Sequence, residues 1–382
     1  MLDFKYEILN SVTQINEKEW DNSFGDIPEG YNFYKTLEDS HLGDFTFYYM
    51  VLRQGQEIVL IAPLFVTDFN LDIGVEGWLE RAIEGVRKVF PRFFVLKTLF
   101  CGSPFGEHGT VGIKNDVDKG LVIHEFNRAL GAFCKDKDIP FILFKDFLSE
   151  DTPLLDRLLK EGFFKVNSFP SVVTDINFSS FDQYLDTLSY ATRKNIRRRL
   201  KNAYASTDIT IKITDNVDDI VDDVFRLYED TYRSGSTKFE RLSKEFFTSV
   251  ARDMRPKVKF FLYYCDGKLG AFNLCFCHND LLIDKFIGFN YDISRKYSLY
   301  FLTWCYNIQW CFENKMRYYQ TGQTDYRPKL RLGGRLVPLY AYLRHRNPVM
   351  NTLLKALAVL LKPENFDRDI KGRIDATEKI DH

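Results

Sequence analysis

The sequence predicts an α+β protein of two successive units, each a mixed, mostly antiparallel sheet flanked by helices. Three observations predict it. The chain has 382 residues, which at about 150 residues per domain is room for two cores. Hydrophobic residues make up 45% of it and aromatic residues 16%, enough to fill those cores and to exclude disorder along the whole chain. A strand–turn–strand pattern also occurs twice, FTFYYMVLRQGQEIVLIAPLFVTD over 45–68 and KFFLYYCDGKLGAFNLCFCHND over 259–280, each after a helical stretch.

The elements follow in order. Helical spacing appears within 15–42, ahead of a hairpin that turns at Gln54-Gly55. Residues 73–90 carry an amphipathic stripe of Val75, Trp78, Leu79, Ile83, Val86 and Phe90, which suits a sheet face or a membrane surface. A strand-like run over 93–100 leads into the loop 101–109. Leu154, Leu155, Leu158 and Leu159 recur at helical spacing, and Gly162 stands where such a helix is capped. After the strand-like 171–176, one long helix is expected over 181–205, with Tyr184, Leu185, Leu188, Ile196 and Leu200 apolar. Two helices over 217–254 precede the second hairpin, whose Asp266-Gly267 turn is a strong hairpin signal. A helix over 298–315 carries Leu299, Leu302, Ile308 and Trp310. The expected division is 1–175, 176–350 and 351–382, the last holding the end of an apolar helix over 349–361 and a charged tail over 363–382.

Charge and cysteine usage exclude several classes. With 52 Lys+Arg against 53 Asp+Glu the formal charge is −1, which argues against a nucleic-acid coat protein while permitting a local basic patch. No run of about 20 apolar residues occurs, so no transmembrane helix is expected. The start is charged from Asp3 and lacks an apolar signal core. Seven cysteines without a disulfide rhythm fit reduced thiols and a cytoplasmic location. GxSxG, GxxxxGK[ST], HExxH and a strand-borne GxGxxG are all absent. Cys275-Phe276-Cys277-His278 reads as strand, so its cysteines face one side and its histidine the other, a poor metal set.

Three segments concentrate chemistry. Arg193-Lys194-Asn195-Ile196-Arg197-Arg198-Arg199-Leu200-Lys201 is a basic helix suited to an anionic donor or to solvent. The loop 101–109 has three glycines and a proline, letting its backbone approach a ligand, with Glu107 or His108 as a general base. Residues 320–335 gather four cations against the single Asp325, with Gly322, Gln323, Tyr326, Lys329 and Arg331 among them. Such donor density suits a carboxylate, a phosphate or a developing oxyanion.

With these segments placed, the chain resembles the GNAT-fold acyltransferases, specifically the FemAB-like and related two-domain members. Leu227-Tyr228-Glu229-Asp230-Thr231-Tyr232, followed by 242–247, is similar to the family's Tyr-rich helix before its central hairpin. The arginine-rich helix is the second likeness. The most specific is Gly322, Lys329, Gly333 and Pro338, which follow the family's Gly…Lys…Gly…Pro order. The likeness extends over residues 15–345. The chain departs from it in lacking the pyrophosphate loop of single-domain acetyltransferases and the inserted helical arm of tRNA-dependent relatives. Pro328 stands where many members have histidine.

The resemblance implies two tandem GNAT-like units and transfer of an acyl or aminoacyl group to an amine or hydroxyl of a small molecule or envelope precursor. The donor is implied to be a CoA or acyl-carrier-protein thioester, or an aminoacyl-tRNA, with no metal. It also implies a donor site in the second unit, at the N-terminus of the 298–315 helix, with Arg295, Lys296 and Ser298 beside it. Lys329 is expected to bind the acceptor's anionic group, with Gln323, Arg331 and Gly322 nearby. Asp325 is expected to orient the amine or act as base, with Tyr326 between it and Lys329. Glu107 and His108 are expected to reach the same cleft. A non-catalytic scaffold and a tRNA-dependent aminoacyl transferase are the alternatives, the latter using the basic helix.

Overall fold

The computed structural model describes residues 3–72, 78–235, 241–360 and 370. Within them the chain runs twice through one sequence of elements. The first pass is β1 (Phe4–Leu9), α1 (Glu17–Phe24), α2 (Tyr31–Asp39), β2 (Thr46–Gln54), β3 (Glu57–Asn70), α3 (Trp78–Arg87), β4 (Val95–Cys101), β5 (Gly112–Ile113), α4 (Lys119–Asp136), β6 (Phe141–Leu148), α5 (Thr152–Leu155) and β7 (Phe164–Asn167). Next come β8 (Ser171–Asp175), α6 (Phe181–Thr187) and α7 (Tyr190–Ser206). The second pass is β9 (Ile209–Thr214), α8 (Val221–Ser234), α9 (Lys244–Asp253), β10 (Val258–Cys265), β11 (Lys268–His278), β12 (Leu281–Phe289), α10 (Tyr291–Tyr297), α11 (Leu299–Glu313), β13 (Tyr318–Gln320), α12 (Tyr326–Arg331) and β14 (Arg335–Val337). Strand β15 (Leu339–His345) and helix α13 (Pro348–Leu360) follow.

The duplication is carried into the sheets. One sheet has the order β1-β2-β3-β4-β6-β15-β7 and the other β9-β10-β11-β12-β13-β8-β14. Each has a single parallel pair at the same place, β4 with β6 and β12 with β13, among antiparallel neighbours. Both expected hairpins form, β2–β3 and β10–β11. Asp266 and Gly267 make the second turn with φ of 48° and 74°, left-handed values that Asp tolerates and Gly adopts freely.

Two features differ from the sequence reading. The units exchange strands: β8 follows β7 in the chain yet pairs with β13 and β14, while β15 follows β14 yet pairs with β6 and β7. The units are therefore residues 1–38, 42–170 and 338–382, and residues 39–41 with 171–337. A break at 175/176 puts β8 in the first unit and keeps β15 in the second, because local alternation marks a strand without naming its sheet. The single helix over 181–205 is two, since the Ser189 side chain accepts from the Thr192 amide and caps α7 afresh.

In the first unit α4 covers one sheet face through Val122, Phe126, Leu130 and Phe133. In the second, Tyr184, Ile196, Leu302, Ile308 and Cys311 of α6, α7 and α11 form the core on one face. Cys275 lies in that core, Cys277 packs against it, and burial pushes the Cys277 thiol up to about 11. Val75 and, apart from the buried Ile370, the 363–382 tail fall outside the described residues. On the opposite face α8 lies so close to β12 that a Cβ at Gly288 would stand 2.8 Å from backbone atoms of Leu227 and Tyr228. Gly288→Ala is therefore expected to destabilise the protein by about 1–3 kcal/mol. Thermal unfolding reads this as a lowered midpoint, and an unchanged midpoint would mean that α8 can lift off β12 at no cost.

Candidate active site

The site begins where β13, bonded to β12 on one edge and to β8 on the other, leaves β12 and stays with β8. Strands β12 and β13 pair only from Leu281–Ile283 against Tyr318–Gln320. Beyond that point the Thr321 amide donates to the Val172 carbonyl at 2.9 Å, and the Val172 amide donates to Gly322 at 3.2 Å. Meanwhile β12 stays on β11 as far as Phe289. The two parallel strands diverge into a fork. The first unit has the corresponding divergence after Cys101 and Phe144, but its own loop 102–109 runs along β6 there. The Gly109 amide bonds Asp146 at 2.8 Å, and a Cβ on Gly109 would lie 2.2 Å from the Lys145 carbonyl. A Cβ on Gly322, by contrast, would meet nothing within 4 Å.

At the fork a register shift between β11 and β12 sets Cys275 opposite Asp284. The Asp284 carboxylate accepts from the Tyr319 hydroxyl at 2.8 Å and from the Asn273 amide at 2.7 and 2.9 Å. The network continues inward: Asn307 of α11 donates to the Tyr319 oxygen at 3.0 Å and accepts from Tyr263 at 2.6 Å. Asn273 and Asn307 are fully buried; these bonds offset the desolvation of Asn307 and of the Asn273 Nδ2, while the Asn273 Oδ1 has no partner. Burial, then the Asp284 charge, raises the Tyr319 phenol well above its ordinary range.

Tyr300 stands on the first turn of α11. Its hydroxyl is buried with no hydrogen-bond partner, and burial followed by the charges of Asp325 and Asp284 holds its phenol above the ordinary value. The Gln323 amide nitrogen is also buried without a partner. Asp325 is exposed, in a left-handed conformation (φ 52°) before α12, and does not cap that helix with its side chain. Ser298 links α10 to α11 at φ 57°, and its Oγ accepts from Arg199 of the basic helix at 2.9 Å. The fork thus holds two carboxylates of different kinds, one saturated by donors and one open, with a protonated phenol under the field of both.

The structure sorts the expected site residues. Gly322, Gln323, Asp325 and Ser298 lie about the fork and the start of α11. Arg331 is exposed on α12. Lys329 is not a cleft-surface lysine: it is 8% exposed, and its ammonium donates to the Thr321 carbonyl, bracing the turn that leads out of β13. Tyr326 is buried at 2% exposure. Arg295 and Lys296 precede α11 as the last turn of α10, where they lie against the Tyr291 and Tyr297 rings. Glu107 and His108 belong to the first unit, where the Glu107 amide donates to the Glu29 carboxylate at 3.0 Å. In the basic helix, Arg193 donates to the Leu188 carbonyl at 2.9 Å and Arg197 to Asp182 at 3.2 Å. Asp284, Asn273, Asn307, Tyr319 and Tyr300 escaped the sequence reading. The available signal was a polar residue inside an apolar strand, Asn273 in LGAFNLCF and Asp284 in LLIDKFIG.

The FemAB-like family model, described as peptidoglycan biosynthesis/recognition, matches residues 11–357. A putative 8-amino-7-oxononanoate synthase 2 of Mycobacterium tuberculosis is 24% identical over 332 residues, covering 85% of this chain and 43% of that protein. The chain thus spans less than half the length of that relative. Among solved structures, FemX aligns at a TM-score of 0.56 and 11% identity, covering 91% of this chain and 100% of FemX. A tandem GNAT protein from the clavulanic acid biosynthesis pathway aligns at 0.54 and 11% identity, covering 91% and 99%. These likenesses establish the fold.

The buried position of Lys329 sets an expectation for its removal. Lys329→Ala should cost about 2 kcal/mol or more, because the Thr321 carbonyl loses a charged donor. Chemical denaturation checks this, and a loss below about 0.5 kcal/mol would show that the turn holds without the lysine.

Proposed function

The chain belongs to the FemAB-like family, and from that premise we propose that it moves an acyl group from an activated ester or thioester to an amine or hydroxyl of a cell-envelope precursor. The observation that carries the reading is the second unit's fork, with Tyr300, Asp325 and Asp284 about it. A strand divergence beside a helix start offers amide donors and a favourable dipole to an acyl carbonyl and to phosphates. Asp284 has its oxygens engaged by Tyr319 and Asn273, which fits a fixed charge rather than a proton acceptor. Asp325, exposed and not capping its helix, fits the base.

In this mechanism the acceptor nitrogen or oxygen attacks the acyl carbon while Asp325 takes its proton. The tetrahedral oxyanion collapses as the bond to the carrier's oxygen or sulfur breaks. Tyr300, kept protonated by burial and by its two carboxylate neighbours, gives its proton to that leaving atom. The proton held on Asp325 then restores the phenol, so protons balance over the cycle. Glu107 and His108 are not assigned a step.

Two donor classes fit the fork, a CoA or acyl-carrier-protein thioester and an aminoacyl-tRNA. One observation favours the second. Helix α7 bonds the start of α11 through Arg199 while exposing Lys194, Arg197, Arg198 and Lys201, flanked by exposed Tyr190 and Tyr204.

Tyr300→Phe is expected to lower turnover by about 10²-fold or more while leaving stability within about 1 kcal/mol, because the lost hydroxyl has no partner. Asp325→Asn should show the same split. The donor class is read first from thermal unfolding with acyl-CoA and with aminoacyl-tRNA, since a ligand at 100 times its Kd adds about 2.7 kcal/mol. Only tRNA binding should weaken steeply with salt. Unaltered turnover in both variants would remove the fork from the chemistry, and no shift with either donor would favour the scaffold.

A further inference from the structure

We propose that the open edge of β1 pairs antiparallel with β1 of a second copy of this chain, joining two first-unit sheets into one. Strand β1 ends its sheet. It pairs with β2 in an unshifted register, from Phe4 opposite Gln54 to Leu9 opposite Tyr49, and with no other strand among the described residues. One bond fixes which way its backbone groups point. The Gly55 amide donates to the Asp3 carbonyl at 3.2 Å, so Asp3 turns its backbone groups toward β2. By alternation Lys5, Glu7 and Leu9 do the same, and Phe4, Tyr6 and Ile8 turn theirs outward. A row of outward N–H and C=O groups is a template for another strand.

The side chains of β1 select its own copy as that strand. Bonding outward from Phe4, Tyr6 and Ile8 restricts self-pairing to registers that set these three residues against one another. Centred on Tyr6, the pairing sets Tyr6 against Tyr6, Phe4 against Ile8, and Lys5 against Glu7 of the second copy. Two-fold symmetry makes the Lys–Glu pair twice. Slipped by two residues, the pairing sets Lys5 against Lys5 or Glu7 against Glu7, and like charges directly opposite destabilise a strand pair. One register is thus favoured over its neighbours, and the chain supplies both halves of it. Lys5 and Glu7 are both exposed, and Lys5 meets the exposed Asp3 at 3.5 Å, a surface contact worth little. Tyr6 is 44% exposed between Phe4 and Ile8, which pack against the first unit's core, so pairing covers its ring. Strand β9 also ends its sheet, with the Asp266 amide on the Asp208 carbonyl and Ile209, Ile211 and Ile213 turned outward. Centred on Ile211, however, it sets Lys212 against Thr210 and gains no opposite charge. The inference is independent of the transfer chemistry proposed above, and its readout is association rather than turnover.

Sedimentation velocity of the full chain at concentrations up to about 100 μM tests it. The parent should show a dimer that grows with concentration. Lys5→Glu and Glu7→Lys each turn both opposite-charge pairs into like-charge pairs, and each should raise the dissociation constant at least about tenfold. The double variant Lys5→Glu/Glu7→Lys exchanges the two charges and should recover the parent's dimer. Tyr6→Pro removes an outward N–H that β2 does not use, so it should abolish the dimer while the circular dichroism spectrum stays that of the parent. A parent that remains monomeric at about 100 μM would overturn the proposal. So would a dimer that the single charge reversals leave unweakened, or one that the double variant fails to recover.

Discussion

The architecture of the second unit depends on where the hydrogen bonds of β13 go. The strand's three paired residues bond β12 on one edge and β8 on the other, and after Gln320 only the bonds to β8 continue. Were β13 to remain on β12, the sheet would be continuous and closed at that point. Because β8 is supplied from the chain that leaves the first unit, the opening of the fork follows from the exchange of strands. The reciprocal exchange sends β15 to the equivalent place in the first sheet, where the loop 102–109 lies along β6 instead. One topology therefore produces two divergences, and the local loop decides what stands in each.

A divergence in a sheet exposes polar backbone and separates side chains that would otherwise pack. The cost is met by the Asp284 network, which ties β11, β12, β13 and α11 to one carboxylate. A buried network of this kind stabilises only when its members are satisfied, and removing one partner strands the others. The same network brings negative charge near Tyr300, whose own hydroxyl has no bond to make within the chain. In the proposed transfer, that phenol gives a proton to the leaving atom while Asp325 takes one from the acceptor.

Much of this was legible in the sequence where the signal is local. The hairpins, the helix over 298–315 and the polar segment 320–335 declare themselves through alternation, Asp-Gly and charge density. The family likeness through Gly322, Lys329, Gly333 and Pro338 points to the second unit and to the turn after β13. The assignment of β8 and β15 to sheets was not legible, because strand pairing across more than a hundred residues leaves no local trace. Lys329 misled for a related reason: a lysine in a polar segment reads as exposed, and only the turn between Thr321 and Lys329 shows the carbonyl that buries it. In the sequence Tyr300 is one aromatic residue in an aromatic-rich helix, and only its unpartnered hydroxyl and the charges of Asp284 and Asp325 distinguish it.

The central claim is that the second unit's fork holds the donor. Amide hydrogen exchange, followed with and without whichever donor raises the unfolding midpoint, tests it most directly. The account predicts slowed exchange over 284–289, 299–303 and 321–326, the two arms of the fork and the first turn of α11. Protection confined to 98–109 of the first unit, with those three segments unchanged, would contradict it.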